Sequence, residues 1–148
     1  MIYMAVDIAL IDTNILIYAY DLSCPEKRDP CMHIIEDCWL GKKTCALSVQ
    51  NLSEFYNAVT CKIANPLEKK EARKIVSRLA AYPNFLMLAF DQETVLDAID
   101  IDIRFGVHYW DALLVATMSK HGIFRIYTEN VKDFQKVPFL EVMNPMID

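Results

Sequence analysis

The chain has 148 residues, 54 % of them hydrophobic, with only three glycines and a formal net charge of −5. That composition excludes a disordered or low-complexity protein, and the length suits one domain, residues 1–148, with a substantial core. The acidic balance argues against a broad basic nucleic-acid-binding face, unless many of the acids are gathered around divalent cations that offset them. The first informative stretch is Ala5 to Asn14, AVDIALIDTN. Its apolar run Ile8 to Ile11 has the length and β-branched content of a fully buried strand. The run halts at Asp12, and Thr13 and Asn14, both helix-capping types, lead into the helix-like Ile15 to Tyr20. Asp12 therefore stands at the carboxyl end of a strand, the edge where open α/β sheets bind ligands. A plain helix-capping role is the alternative for it.

Asp21 to Pro30 reads as a polar turn with two helix starts. Ser23 with Glu26 resembles a capping box near Pro25, and Asp29-Pro30 serves equally well. The helix carries Ile34, Ile35, Cys38 and Trp39 and stops at Gly41. Thr44 to Leu47 is a second strand, and Ser48 caps a helix that runs to about Ile63 with Val49, Leu52, Phe55, Tyr56 and Val59 as its apolar stripe. Leu67 to Ala81 is a charged amphipathic helix, with Lys70, Lys74 and Arg78 on one face. Phe85 to Phe90 is a third strand, and Asp91 caps the helix after it. His108 to His121 is a strongly apolar helix ended by Gly122, Phe124 to Tyr127 a fourth strand and Leu140 to Val142 a short fifth. Strands alternating with helices predict a parallel sheet covered on both faces.

The cysteines at 24, 31, 38 and 45 recur every seven residues, and Cys61 is left over. That spacing is not the short spacing of a zinc site, and an odd count suits a reducing compartment, so they are expected to be core thiols. No apolar run is long enough to span a bilayer, and the amino terminus lacks the pattern of a signal peptide. The expected location is the cytosol, without membrane attachment. The high apolar fraction points to a further buried surface, a homodimer or a partner groove.

Three further places resemble Asp12. Glu54 lies about one and a half turns into the helix after the second strand, nearly opposite its apolar stripe, where a solvated side chain is the simple alternative. Asp111 is embedded in HYWDALLVATM, and a carboxylate buried there requires a cap role, a cation or a metal. Thr128-Glu129-Asn130 and Asp133 follow the fourth strand, where turn chemistry alone would also place such residues. Several acids at one sheet edge, with no glycine-rich phosphate loop, point to hard divalent cations, Mg²⁺ or Mn²⁺, and to in-line phosphodiester hydrolysis. The three histidines lack the spacing of a zinc hydrolase.

With these residues in place, the chain resembles the PIN-domain ribonucleases, in particular the VapC-type toxins of toxin–antitoxin pairs. The likeness rests on the strand into Asp12-Thr13-Asn14, Ser48-Val49-Gln50 to Glu54-Phe55, Tyr109 to Leu113, and Tyr127-Thr128-Glu129-Asn130 to Asp133-Phe134. It implies a three-layer α/β/α fold around a short central parallel sheet. It also implies a Mg²⁺- or Mn²⁺-dependent endoribonuclease acting on single-stranded RNA or a structured RNA loop. Asp12, Glu54 and Asp111 match the family's acidic metal residues. Asn130 stands where the family often has a further Asp, and Asp133 or Glu129 are the alternatives for that fourth acid. Thr13 and Thr128 flank the same positions. The resemblance further implies a homodimer and a small antitoxin partner. A catalytically weak PIN-like scaffold that binds RNA or protein is the alternative reading. Phosphotransfer through Asp12 would require a second acid beside it, and Thr13-Asn14 offers none.

Overall fold

The computed structural model describes residues 7–147; Ala5 and Val6, at the head of the first predicted stretch, lie outside them. Five short strands, β1 (Ala9–Ile11), β2 (Cys45–Ser48), β3 (Phe85–Leu88), β4 (Arg125–Tyr127) and β5 (Glu141–Met143), form one sheet in the order β3-β2-β1-β4-β5. Every pairing is parallel, with Leu10 of β1 in register with Ala46 on one side and Ile126 on the other. Helices α1 (Thr13–Tyr20), α2 (Pro25–Trp39), α3 (Val49–Cys61), α4 (Lys69–Ala81), α5 (Gln92–Phe105), α6 (Tyr109–Lys120) and α7 (Val131–Phe134) connect them.

Strand alternation divides the core in two. Ile11, Cys45, Leu47 and Phe85 point to one face, where Ile15, Leu16, Ile35, Phe55 and Leu79 of α1 to α4 cover them. Leu10, Ala46, Leu88 and Ile126 point to the other and pack on Ala98 of α5, Leu113 to Met118 of α6 and Phe134 of α7. Both faces are thus sealed, as an all-parallel sheet demands, and the expected α/β/α layering is what the chain adopts. Cys31, Cys38 and Cys45 are fully buried in the first of these cores, as expected of small apolar residues, whereas Cys61 is exposed.

Local chemistry sets where the helices begin. Ser48 accepts from the Asn51 amide at 3.1 Å and Asn51 Oδ1 accepts from the Ser48 amide at 2.9 Å, a reciprocal capping box. Asp91 and Thr94 do the same for α5, which closes at Gly106 in the left-handed region at φ 68°. Several details depart from the sequence reading. Ser23 turns back to Asp21 instead of capping, so α2 starts at Pro25 behind Cys24, with Pro30 inside it. Val49 is 41 % exposed, and the buried positions of the first turn of α3 are the polar Gln50 and Asn51. β3 ends at Leu88, whose partner Ser48 is the last residue of β2.

Asn51 is wholly buried, and besides the cap it donates to Thr13 Oγ1 at 2.9 Å. Asn51→Ala leaves the buried Ser48 amide without an acceptor and should cost about 2 kcal/mol in denaturant unfolding. Val49→Ala, on the exposed side of the same turn, should stay within about 0.5 kcal/mol.

Candidate active site

Because the sheet is parallel, each helix that directly follows a strand, α1, α3, α5 and α7, starts at the carboxyl edge. The chain runs outward from β1 through β2 to β3 and then restarts on the other side of β1 with β4 and β5. The switch point lies between β1 and β4, and two polar side chains meet there. Asp12 follows β1 and Thr128 follows β4; Thr128 donates to Asp12 Oδ2 at 2.7 Å. Both are buried, Thr128 completely and Asp12 at 6 % exposure. Asp12 also caps α1, accepting from the Thr13 amide at 2.7 Å and from Asn14 Nδ2 at 3.3 Å. The cap role and the edge position are therefore the same arrangement.

Glu54 joins through Thr13. Thr13 Oγ1 donates to Glu54 Oε1 at 3.2 Å, and Gln50 Nε2 donates to the same oxygen at 3.2 Å and to the Trp110 carbonyl at 3.0 Å. Gln50 therefore fixes Glu54 of α3 relative to the start of α6. Glu54 stays exposed to solvent, as its place opposite the stripe implied, yet it is held by two donors. Asp111 lies in the first turn of α6 and is half-buried, with Asn130 Nδ2 donating to its Oδ2 at 2.9 Å. The amide nitrogen of Asn130, rather than its oxygen, thus faces the carboxylate.

The two possibilities left open for a fourth acid separate here. Glu129 turns away: Tyr18 donates to it at 2.6 Å and Lys27 at 2.9 Å, so that its charge is neutralised against α1 and α2. Its backbone amide donates to Asn14 Oδ1 at 3.2 Å, which ties the β4–α7 loop to α1. Asp133 turns toward Asp111, and the two carboxyls perturb one another. Its Oδ1 lies 3.1 Å from Lys136 Nζ, and its Oδ2 is buried without a hydrogen-bond partner.

Electrostatics register this crowding. Burial, together with the charge of Glu54, pushes the Asp12 carboxyl up to about 6 against the pull of its Thr128 and Thr13 hydrogen bonds. Burial, the neighbouring Asp133 carboxyl, and the charges of Asp12 and Glu54 push Asp111 up to about 8. Partial burial works against Asp133, but its approach to Asp111 and the Lys136 ammonium hold it below the usual carboxylate range. The donors are all hard oxygens, Asp133 carries an orphaned buried oxygen, and Asp111 is crowded by burial and by neighbouring acids, a cost that a cation would relieve. That set fits a divalent ion with oxygen preference. Among the described residues, no three acidic, His or Cys side chains form a ready ligand group.

A family model described as the PIN domain matches residues 9–140, which span all of these side chains. The chain belongs to the PIN domain family. Ribonuclease VapC24 of Mycobacterium tuberculosis is 28 % identical over 142 residues, covering 92 % of this chain and 95 % of that protein. Among solved structures, a toxin–antitoxin complex from Klebsiella pneumoniae superposes with a TM-score of 0.64 at 23 % identity, over 93 % of this chain and 97 % of the other. VapC20 of Mycobacterium tuberculosis, a toxin that cleaves the sarcin–ricin loop, gives 0.63 at 17 % identity, over 91 % and 98 %. These structures share the PIN fold.

Sequence reasoning picked out Asp12, Glu54, Asp111 and Asn130 for this PIN domain, with Thr13, Thr128, Glu129 and Asp133 as possible additions; the fold brings all of these but the Glu129 side chain, which is held by Tyr18 and Lys27, to one edge. It gave no role to Gln50 or Asn51. For Asn51 a signal was present, since Ser48 and Asn51 have capping-box spacing.

A carboxyl group raised on folding binds its proton more tightly in the native state. It therefore lowers stability as pH rises from the ordinary carboxylate value to the folded one. Without metal, the PIN domain should lose up to about 3 kcal/mol through Asp12 between pH 4 and 6. The loss through Asp111 should continue toward about pH 8. Asp12→Asn should flatten the lower part of that curve and leave stability at pH 7 equal or higher, read as melting temperature against pH.

Proposed function

We propose that this PIN domain is a Mg²⁺- or Mn²⁺-dependent endoribonuclease, the toxin of a toxin–antitoxin pair. The observation that carries the reading is the convergence of Asp12, Glu54 and Asp111, with Asp133 behind them, at the β1/β4 switch point. The similarity to Ribonuclease VapC24 along 92 % of the chain supports the substrate class. The solved toxin–antitoxin complex of like fold supports a small antitoxin partner. Leu96, Ile99 and Ile103 lie exposed along one side of α5, and that apolar row is in keeping with a homodimer. No helix among the described residues is long and apolar enough to cross a membrane.

Asp12, Glu54 and Asp111 would hold the ion, with Thr128, Thr13 and Gln50 keeping their carboxylates oriented. When bound, such an ion activates water for in-line attack and offsets charge on the phosphate and leaving oxygen. Thr128 also accepts from the Asn130 amide at 2.9 Å, which fixes Asn130 between the two Asp side chains. With its nitrogen on Asp111, Asn130 has its side-chain oxygen left to orient a water. Lys136 offsets Asp133, so the formal charge of the site is that of the other three acids. Three negatives suffice for one divalent ion and are poor for two.

Asp12→Asn and Asp111→Asn should abolish cleavage of RNA, and Mn²⁺ should raise the melting temperature of the wild type but not of these variants. A wild type that cuts no RNA in Mn²⁺ rejects the nuclease reading. Calorimetric titration of Mn²⁺ should show one tight ion in the wild type. Asn130→Asp should strengthen binding of a second, and Asn130→Ala should slow cleavage more than it weakens the first ion. Two equally tight ions in the wild type would assign the fourth place to Asp133. Glu129→Gln should leave metal binding unchanged.

A further inference from the structure

The site as described is walled by acids, on a chain with a net charge of −5. A polyanion brought to Asp111 would be repelled unless cations stand where its backbone enters. Beside Asp111 the surface opens into a cleft of about 450 Å³, lined by His108, Asp111, Asn130, Lys132, Asp133 and Lys136. Its two lysines differ. Lys136 is committed, with its ammonium 3.1 Å from Asp133 Oδ1 and 3.2 Å from the Gly106 carbonyl. Lys132 is exposed and, among the described residues, has no ion pair or hydrogen bond through its side chain. The backbone that carries it is nonetheless fixed, because Phe134 and Val137 on either side of the turn are buried in the core. The Gln135 amide also donates to the Val131 carbonyl at 2.9 Å.

From this we infer that the cleft is a phosphate subsite for the RNA backbone. Lys132 takes the phosphate next along the strand from the one held at Asp111, and His108 and Lys136 complete the wall. The inference rests on the nuclease reading for the location of the cleaved phosphate. A flexible ammonium recognises phosphate as a point charge, so the contact adds affinity without base preference. Lys132 is then a binding residue that acts on substrate affinity and leaves the chemical step alone. Lys136 cannot serve as the test, since its removal would unpair Asp133 and disturb Asp111.

The decisive measurement uses Asp12→Asn protein, which binds without cutting, and a labelled single-stranded RNA dodecamer of mixed sequence. Adding Lys132→Ala should weaken binding severalfold at low salt. It should also make the plot of log affinity against log salt shallower by about 0.7, the release expected for one single-strand phosphate contact. Lys132→Arg should restore both. In otherwise wild-type protein, Lys132→Ala should raise KM with little change in kcat. An unchanged salt slope, or a loss confined to kcat, overturns the subsite. Because the slope is read on binding, it judges the cleft even if no RNA is cut, whereas cleavage by the wild type judges the nuclease reading separately.

Discussion

The hydrogen bond from Thr128 to Asp12, across the seam where the sheet changes direction, is the contact on which the site depends. It joins the ends of two adjacent strands, β1 and β4, that are more than a hundred residues apart in the chain. A buried carboxylate costs several kcal/mol unless it is bonded or neutralised. Thr128 and the Thr13 amide supply only part of what Asp12 needs, and its carboxyl remains raised to about 6. The remainder of the arrangement follows from that shortfall. Thr13 hands its own hydroxyl to Glu54, Asn51 holds Thr13, and Ser48 holds Asn51. One chain of donors thus links the starts of α1 and α3, and Gln50 extends it to α6.

These helices can converge only because the sheet is wholly parallel. A parallel strand returns through a helix whose first turn must lie near the carboxyl edge. The amino-terminal ends of α1 and α3 therefore bring Asp12 and Glu54 to this edge, and the bonds from Gln50 to the Trp110 carbonyl and from Asn130 to Asp111 hold the start of α6 against it. The two cores beneath them make that edge stiff: β1 is sealed by Leu10 on one face and Ile11 on the other, both with no exposed surface. Electrostatic strain at the edge is thus borne by a framework whose own packing has no shortage of apolar contact.

Much of this was legible in the sequence, for identifiable reasons. Short apolar runs ending on Asp12 or before Ser48 mark strands that pass directly into capped helices, and Asp91 marks another cap. Strand order was not legible, since nothing local records which parallel neighbour a crossover selects. Helix α7 has four residues, too few for a periodicity to register. Val49 was misjudged because hydropathy assigns apolar residues inward, whereas the buried slots in that turn belong to Gln50 and Asn51, which have partners to satisfy. At the site, residue type and spacing found the acids but could not assign their directions. Glu129 and Asp133 are equivalent on paper. They differ because Tyr18 and Lys27, from distant turns, claim the first.

That division of labour explains how an amide at position 130 is compatible with an acidic centre. Had Asn130 been a carboxylate, it would face Asp111 at the distance where Nδ2 now donates, with Asp133 already crowding that same group. Three carboxyls would then compete for one proton or one ion. The amide instead donates to Asp111, and the additional negative charge is supplied from Asp133, three residues on, where Lys136 already stands against it. Asp133 is thus screened by Lys136, and the field at the seam is left to Asp12, Glu54 and Asp111. Cations outside the seam, rather than a basic surface across the whole molecule, are what such a centre requires to receive a polyanion. A chain of net charge −5 can meet that requirement with a few lysines placed at the rim.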